Sequence, residues 1–352
     1  MKWTDGLVSA GLVLVCSAVA GCSGGPGAVL LSKEDSARYA VADPTGLPDR
    51  LDIPLTRRGG YLLVPGYIDD QPVGLMMIDT GASISVIAQG AAGRLNLEKG
   101  GEGRTVGVGG FETFEFYKAG HYSIGQTTRG APESGRQGVL RLASERLAGL
   151  KLLGFGESLR VGLGGIVGFP ELSAVPFALD ASRRELTVYR PEAFRPPAGA
   201  TRERLRLFRK LPMVRAEVYD GSQRVEVWLL IDYGADNALT LPDVLLERHP
   251  GVMSVNATGR GRTAGVGGTV QSTQTWVKDF RMLGLSLKDV PVNFEPPPPT
   301  MRGPRLIGRV GNELLKHFRL TFHASHGWVY AQWIPGEAGA DTPESVAGQP
   351  VK

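Results

Sequence analysis

The chain has 352 residues, 42% hydrophobic and 21% charged, with a formal net charge of +4. This size and apolar share suit two ordinary globular domains and exclude a wholly disordered or collagen-like chain. The mild positive excess is no footprint for nucleic acid, and 49 Gly with 24 Pro point to turn-rich β architecture rather than long helices.

The N-terminal segment carries Lys2 and then an apolar run over residues 7–20. A spanning helix needs ~20 apolar residues, so this run suits a leader rather than a membrane span. Val19-Ala20-Gly21-Cys22 resembles a bacterial lipoprotein cleavage site. That likeness implies a signal peptide over 1–21 and a Cys22 that becomes the lipidated first residue of the mature chain. The protein would then sit in the bacterial cell envelope, and Ser23 after the cysteine resembles the outer-membrane sorting pattern of diderm bacteria. An ordinary secretory signal or an uncleaved anchor is the other reading. Cys16 and Cys22 are the two cysteines, so with Cys22 acylated the mature domain has no free thiol and no disulfide, which excludes a thiol protease.

Residues 22–50 begin with Ser23-Gly24-Gly25-Pro26-Gly27 and read as a flexible tether. A first unit is expected over 51–200, with strands at 60–65, 73–78, 111–117 and 185–189, and a short helical piece after Val86-Ile87-Ala88 that ends near Leu95-Asn96-Leu97. The segment 131–157 has no obvious counterpart later in the chain, and a helix is expected within it over 139–150. A second unit over 201–335 repeats the pattern with strands at 213–219, 225–231 and 271–277 and a helix at 242–248. Glu295-Pro296-Pro297-Pro298-Pro299 reads as a stiff loop, because proline lacks the amide donor a central ladder requires. Residues 336–352, rich in Gly, Ala, Pro and Glu, read as a disordered tail. The basic cluster Arg202, Arg204, Arg206, Arg209 and Lys210 reads as a solvated linker and strand edge, with anionic lipid headgroups as the alternative contact.

The units share landmarks in one order. Ile78-Asp79-Thr80-Gly81-Ala82-Ser83 recurs as Ile231-Asp232-Tyr233-Gly234-Ala235-Asp236, each after an apolar run that reads as a buried strand. Gly107-Val108-Gly109-Gly110 recurs as Gly265-Val266-Gly267-Gly268, Ile166-Val167-Gly168 as Leu306-Ile307-Gly308, and Leu186-Thr187-Val188-Tyr189 as Gly327-Trp328-Val329-Tyr330. The offset of roughly 150 residues drifts only as loop insertions would make it drift between two copies of one unit.

An apolar pair, Asp-Thr-Gly-Ala-Ser, a glycine-rich hairpin and an apolar-apolar-Gly triplet together resemble one lobe of a pepsin-like or retropepsin-like aspartic protease. With two such sets, the likeness covers roughly residues 52–335 and implies an all-β fold of two retropepsin-like β-barrel lobes, related by a pseudo-twofold axis, with a cleft between them. It implies an aspartic endopeptidase with Asp79 and Asp232 as its catalytic acids, a peptide or protein substrate, no cofactor and no metal. Both lobes lie in one chain, so a monomer is expected.

The chemistry follows from the pair itself. Two carboxyl groups about 3 Å apart cannot both ionise, so one proton stays on the pair. The ionised member deprotonates a bound water while the protonated member polarises the scissile carbonyl. Gly81 and Gly234 let the backbone turn tightly behind each carboxylate and aim an amide at it. The resemblance gives Thr80 a hydroxyl bond to the opposite lobe. Tyr233 departs from that pattern, since a phenol cannot occupy a threonine hydroxyl's place; its ring is expected to pack into the interlobe contact. A non-catalytic peptide-binding or scaffold lipoprotein on the same fold is the alternative function.

Ser83 and Asp236 stand where the family contacts substrate backbone. The glycine loops Gly107 to Gly110 and Gly265 to Gly268 match flap positions, two as in the retroviral arrangement, with plain hairpin turns as the other reading. Gly259-Arg260-Gly261-Arg262-Thr263-Ala264 fits a dinucleotide fingerprint in letters only, because a strand rather than a helix follows it. His317, His323 and His326 sit on the last hairpin and read as turn decoration rather than metal ligands.

Overall fold

The computed structural model describes residues 8–10, 15–17, 47–125, 139–142, 146–152, 159, 161–253, 259–303 and 305–334. Cys22, most of the leader and tether, and the tail at 336–352 lie outside the described residues. Strands dominate the structure, arranged in three sheets.

Two of the sheets repeat one strand order. In the first half the order is Tyr61–Ile68, Gln71–Asp79, Leu163–Gly168, Val86–Ala88, Arg146–Leu150, Gly110–Lys118 and Lys99–Gly107. In the second half it is Leu211–Tyr219, Arg224–Ile231, Ile307–Val310, Leu239–Pro242, Leu285–Glu295, Gly268–Met282 and Gly259–Gly265. The second sheet closes on itself, because Phe280 to Met282 also pair with Ala216 to Val218.

Each aspartate ends a strand whose burial is graded. Gln71–Asp79 and Arg224–Ile231 begin with exposed residues and finish fully buried. Each therefore starts at a solvated rim and dives between layers, where only a continuous apolar run avoids stranding polar side chains. A parallel neighbour covers each one. Val167 lies opposite Ile78 and Gly168 opposite Asp79, while Val310 lies opposite Ile231.

The strand pairing corrects three expectations. The second-half counterpart of Ile166-Val167-Gly168 is Arg309-Val310-Gly311, three residues beyond Leu306-Ile307-Gly308. Both Gly168 and Gly311 precede a four-residue helix, Phe169–Leu172 and Asn312–Leu315. The helix expected over 139–150 is instead two strands, Val139–Leu142 and Arg146–Leu150. Leu140 and Leu142 are buried while Arg141 is exposed, a period of two that a sheet edge satisfies and a helix would scatter. Arg146–Leu150 runs parallel to Val86–Ala88 as Leu285–Glu295 runs parallel to Leu239–Pro242, so part of 131–157 does have a counterpart.

The third sheet joins the halves, in the order Thr201–Arg204, Trp328–Trp333, Phe318–His323, Phe177–Asp180, Glu185–Tyr189, Arg50–Pro54. Its middle pair is antiparallel, with Phe177 opposite Phe322, and their rings stack at 4.7 Å. The largest core cluster spans this joint, and Phe169 packs edge-on against both rings. Arg202 and Arg204 lie over the Trp328 ring and Arg206 over Trp228, so part of the basic cluster rests on aromatic faces.

The two glycine loops are the tips of long antiparallel hairpins, Lys99–Gly107 with Gly110–Lys118 and Gly259–Gly265 with Gly268–Met282. Two short N-terminal strands lie on the outer edges of these hairpins. Val8–Ala10 runs parallel to Arg262 through Ala264, and Val15–Ser17 antiparallel to Arg104 through Val106.

Candidate active site

Asp79 and Asp232 are fully buried and face each other across the halves. A methyl group at Gly81 would lie 2.5 Å from Asp232 Oδ1, and one at Gly234 would strike the Asp79 carboxyl. Each carboxyl thus occupies the space above the other half's turn glycine, and only glycine admits this approach. The Gly81 amide donates to Asp79 Oδ1 at 2.7 Å and the Gly234 amide to Asp232 Oδ1 at 2.9 Å. Both Oδ2 atoms lack a donor from the rest of the protein.

Burial pushes the Asp79 carboxyl well above its ordinary range, the Asp232 charge adds to that, and the Gly81 and Ala82 amides oppose it. Burial also raises Asp232, to about 7, against the pull of Arg309 and the Gly234 amide. Among the charged groups bearing on Asp232, Asp236 raises it further. Tyr61 is 2% exposed, and its phenol is held protonated by burial and then by Asp236, Asp232 and Asp79.

The turn after each aspartate is held differently in the two halves. Thr80 Oγ1 donates to the Ile231 carbonyl at 2.6 Å and accepts from the Tyr233 amide at 3.0 Å. The Tyr233 ring is buried within the joint core and its hydroxyl has no partner, so it returns no bond to the first half. Instead Asn312 Nδ2 donates to the Tyr233 carbonyl at 2.7 Å, bracing that loop from the helix after Gly311. Ser83 is buried, and Asp236 lies near Gly60 with 3.5 Å between its Cβ and the position a Gly60 Cβ would take.

The two hairpin tips meet each other. The Gly109 amide donates to the Val266 carbonyl at 3.0 Å, and the backbones of Gly109 and Gly268 approach too closely for any side chain. The tip valines cross over. Val108 packs on Leu211, Met213, Leu230 and Met301 of the second half, and Val266 joins a cluster of the first half with Leu63, Met77, Phe114 and Ile166.

Two further buried polar sites have no signal in a single motif. Arg309 and Glu295 form an ion pair at 2.6 Å, 4% and 3% exposed. Glu171 follows Gly168, accepts from the Ser85 amide at 3.4 Å and is raised to about 7 by burial. Aligning Gly168-Phe-Pro-Glu-Leu with Gly311-Asn-Glu-Leu-Leu, rather than with Gly308, would have found Arg309. Among the described residues no group of three or more His, Cys, Asp or Glu side chains is placed to hold a metal. His323 and His326 pack ring on ring at 3.9 Å, and His317 stacks on Trp333.

No curated protein matches the chain. The family model for aspartyl protease matches residues 64–134, a stretch that contains Asp79 and the hairpin tip Gly107 to Gly110, and it supports an aspartyl protease family for this chain.

Proposed function

We propose that the protein is an aspartic endopeptidase in which Asp79 and Asp232 share one proton and activate a water against a peptide bond. The observation that carries this reading is the reciprocal placement of each carboxyl over the other half's turn glycine. The ionised carboxylate removes a proton from water as its oxygen bonds to the scissile carbonyl carbon, and the protonated partner hydrogen-bonds the carbonyl oxygen. The two glycine hairpins act as a pair of flaps, as in retropepsins, and Ser83 and Asp236 contact the substrate backbone. The repeated strand order supports two pseudo-twofold lobes over 51–200 and 201–335, and a monomer needing no second chain.

The leader is cleaved before Cys22, and a lipid there holds the enzyme at the cell envelope. Cleavage would also remove Val8–Ala10 and Val15–Ser17 from the outer edges of the flaps.

Turnover of a diverse peptide library between about pH 4 and 7, where one carboxyl of such a pair can stay protonated, tests the reading. Asp79→Asn and Asp232→Asn should each abolish cleavage while the chain stays folded; undiminished cleavage in both variants removes the proposal. Tyr233, where a threonine is expected, favours one second reading, a peptide-binding protein without turnover. Tight binding of a hydroxyl-containing transition-state analogue such as pepstatin with no cleavage would select it.

A further inference from the structure

The halves differ at one position that bears on the acid pair. Two residues before Gly168 and Gly311, the strand beside each aspartate strand carries Ile166 in the first half and Arg309 in the second. Ile166 lies opposite Met77 and Arg309 opposite Leu230. Neighbours in register share a sheet face, so Arg309 projects on the face of Leu230, which packs under the Val108 flap tip. An arginine thus enters the second half where its pseudo-symmetric site in the first is hydrocarbon. It is buried, its Nη2 donates to Glu295 Oε1, and its Nε has no partner.

A buried cation favours the charged form of the acids around it. The titratable groups that bear on Asp232 are Asp79 of the facing half, Asp236 on its own loop, Tyr61 of the first-half sheet and Arg309 on the neighbouring strand. Of these only Arg309 is cationic. Its pull on Asp232 exceeds the push of Asp236, despite the Glu295 countercharge. The side of the pair facing Ile166 has no such cation in register.

We propose that Arg309 breaks the symmetry of the acid pair, so that Asp232 is the ionised member and Asp79 carries the proton. Arg309 is then a positioning residue, acting through Asp232. The step it directs is balanced: a water O–H proton passes to Asp232, the water oxygen bonds the carbonyl carbon, and the Asp79 proton moves to the carbonyl oxygen to give a neutral tetrahedral diol. The inference rests on the peptidase reading only for that step; the location of the proton stands apart from it.

The test uses the full chain. Arg309→Met alone would strand Glu295, so the double variant Arg309→Met with Glu295→Gln is compared with Glu295→Gln alone and with Arg309→Lys. The acid limb of kcat/KM should move up by about one pH unit in the double variant, a roughly tenfold loss below the limb. It should move down in Glu295→Gln, which frees the guanidinium from its countercharge, and stay near wild type in Arg309→Lys. A limb unmoved in the double variant, or moved the same way in it and in Glu295→Gln, overturns the inference. Carboxyl-carbon NMR of labelled aspartates, assigned with Asp79→Asn and Asp232→Asn, reads the same order without turnover. Asp232 should ionise at lower pH than Asp79 in the wild type; the reverse order overturns the inference. Asp232 titrating first in a protein that cleaves nothing would uphold the inference and overturn only the peptidase reading.

Discussion

Thr80 Oγ1 sits between two backbone groups of the opposite half, donating to the Ile231 carbonyl and accepting from the Tyr233 amide. One hydroxyl therefore pins the strand end before Asp232 and the turn after it. The bond is not returned, because the tyrosine hydroxyl points away into the joint core without a partner. Thr80→Val keeps the shape but leaves a buried carbonyl and a buried amide unpaired, which should cost about 2 kcal/mol or more. Urea unfolding should show the loss, and peptide cleavage should fall further than stability because the carboxyls lose their register. Thr80→Ser should keep most of both. An unchanged unfolding midpoint in Thr80→Val would mean that the bond contributes nothing.

Much of this was legible in the letters, and the reasons are local. The aspartate turns, the glycine hairpins and the apolar strands beside them are short patterns whose meaning depends on backbone geometry, so they survive without tertiary information. The strand at 139–142 was obscured because its few residues fit either period, and only the pairing with Tyr122–Gly125 decides between them. Arg309 was hidden by a better-looking triplet, Leu306-Ile307-Gly308, which matches the apolar pattern while the true counterpart breaks it with a charge. The compensating Glu295 lies across a proline loop, and no spacing rule connects the two. Sequence shows Tyr233 as a departure; that its ring fills the joint core is a packing fact.

The hairpin tips predict a second outcome. Gly109 passes so close to Gly268 that a side chain at 109 must displace backbone rather than a flexible neighbour. Gly109→Val should separate the tips, break the hydrogen bond to the Val266 carbonyl and expose Val108 and Val266. On the proposed peptidase reading, parted tips admit water and loosen substrate alignment, where a displacement of ~1 Å costs on the order of 100-fold in rate. Peptide cleavage should drop on that scale with little change in global stability, and hydrogen exchange should quicken at residues 105–112 and 264–270. Wild-type exchange at both tips would show that the contact does not hold them closed.

Glu171 predicts a pH dependence of stability. Its carboxyl is wholly buried, accepts from the Ser85 amide and leaves Oε2 unpaired, while Ser85 Oγ accepts from the Gly168 amide and contacts the Tyr122 hydroxyl. Burial raises it from 4.5 to about 7, against weaker opposition from its hydrogen bonds and from Lys210. A folded-state value above the unfolded one means that the unfolded chain ionises first as pH rises. The stability Glu171 contributes is therefore fully present below about pH 4.5 and lost as pH climbs to about 7, a fall of about 3 kcal/mol. Glu171→Gln keeps the acceptor for Ser85 and cannot ionise, so its stability should lack that fall. Asp79 and Asp232 slope in the same direction in both proteins, which makes the difference between the two curves specific to Glu171. Chemical unfolding at pH 4 should find the variant close to wild type, and at pH 8 more stable than it. Parallel curves across that range would show that Glu171 is ionised in the folded protein, with Lys210 then the nearest charge able to hold it.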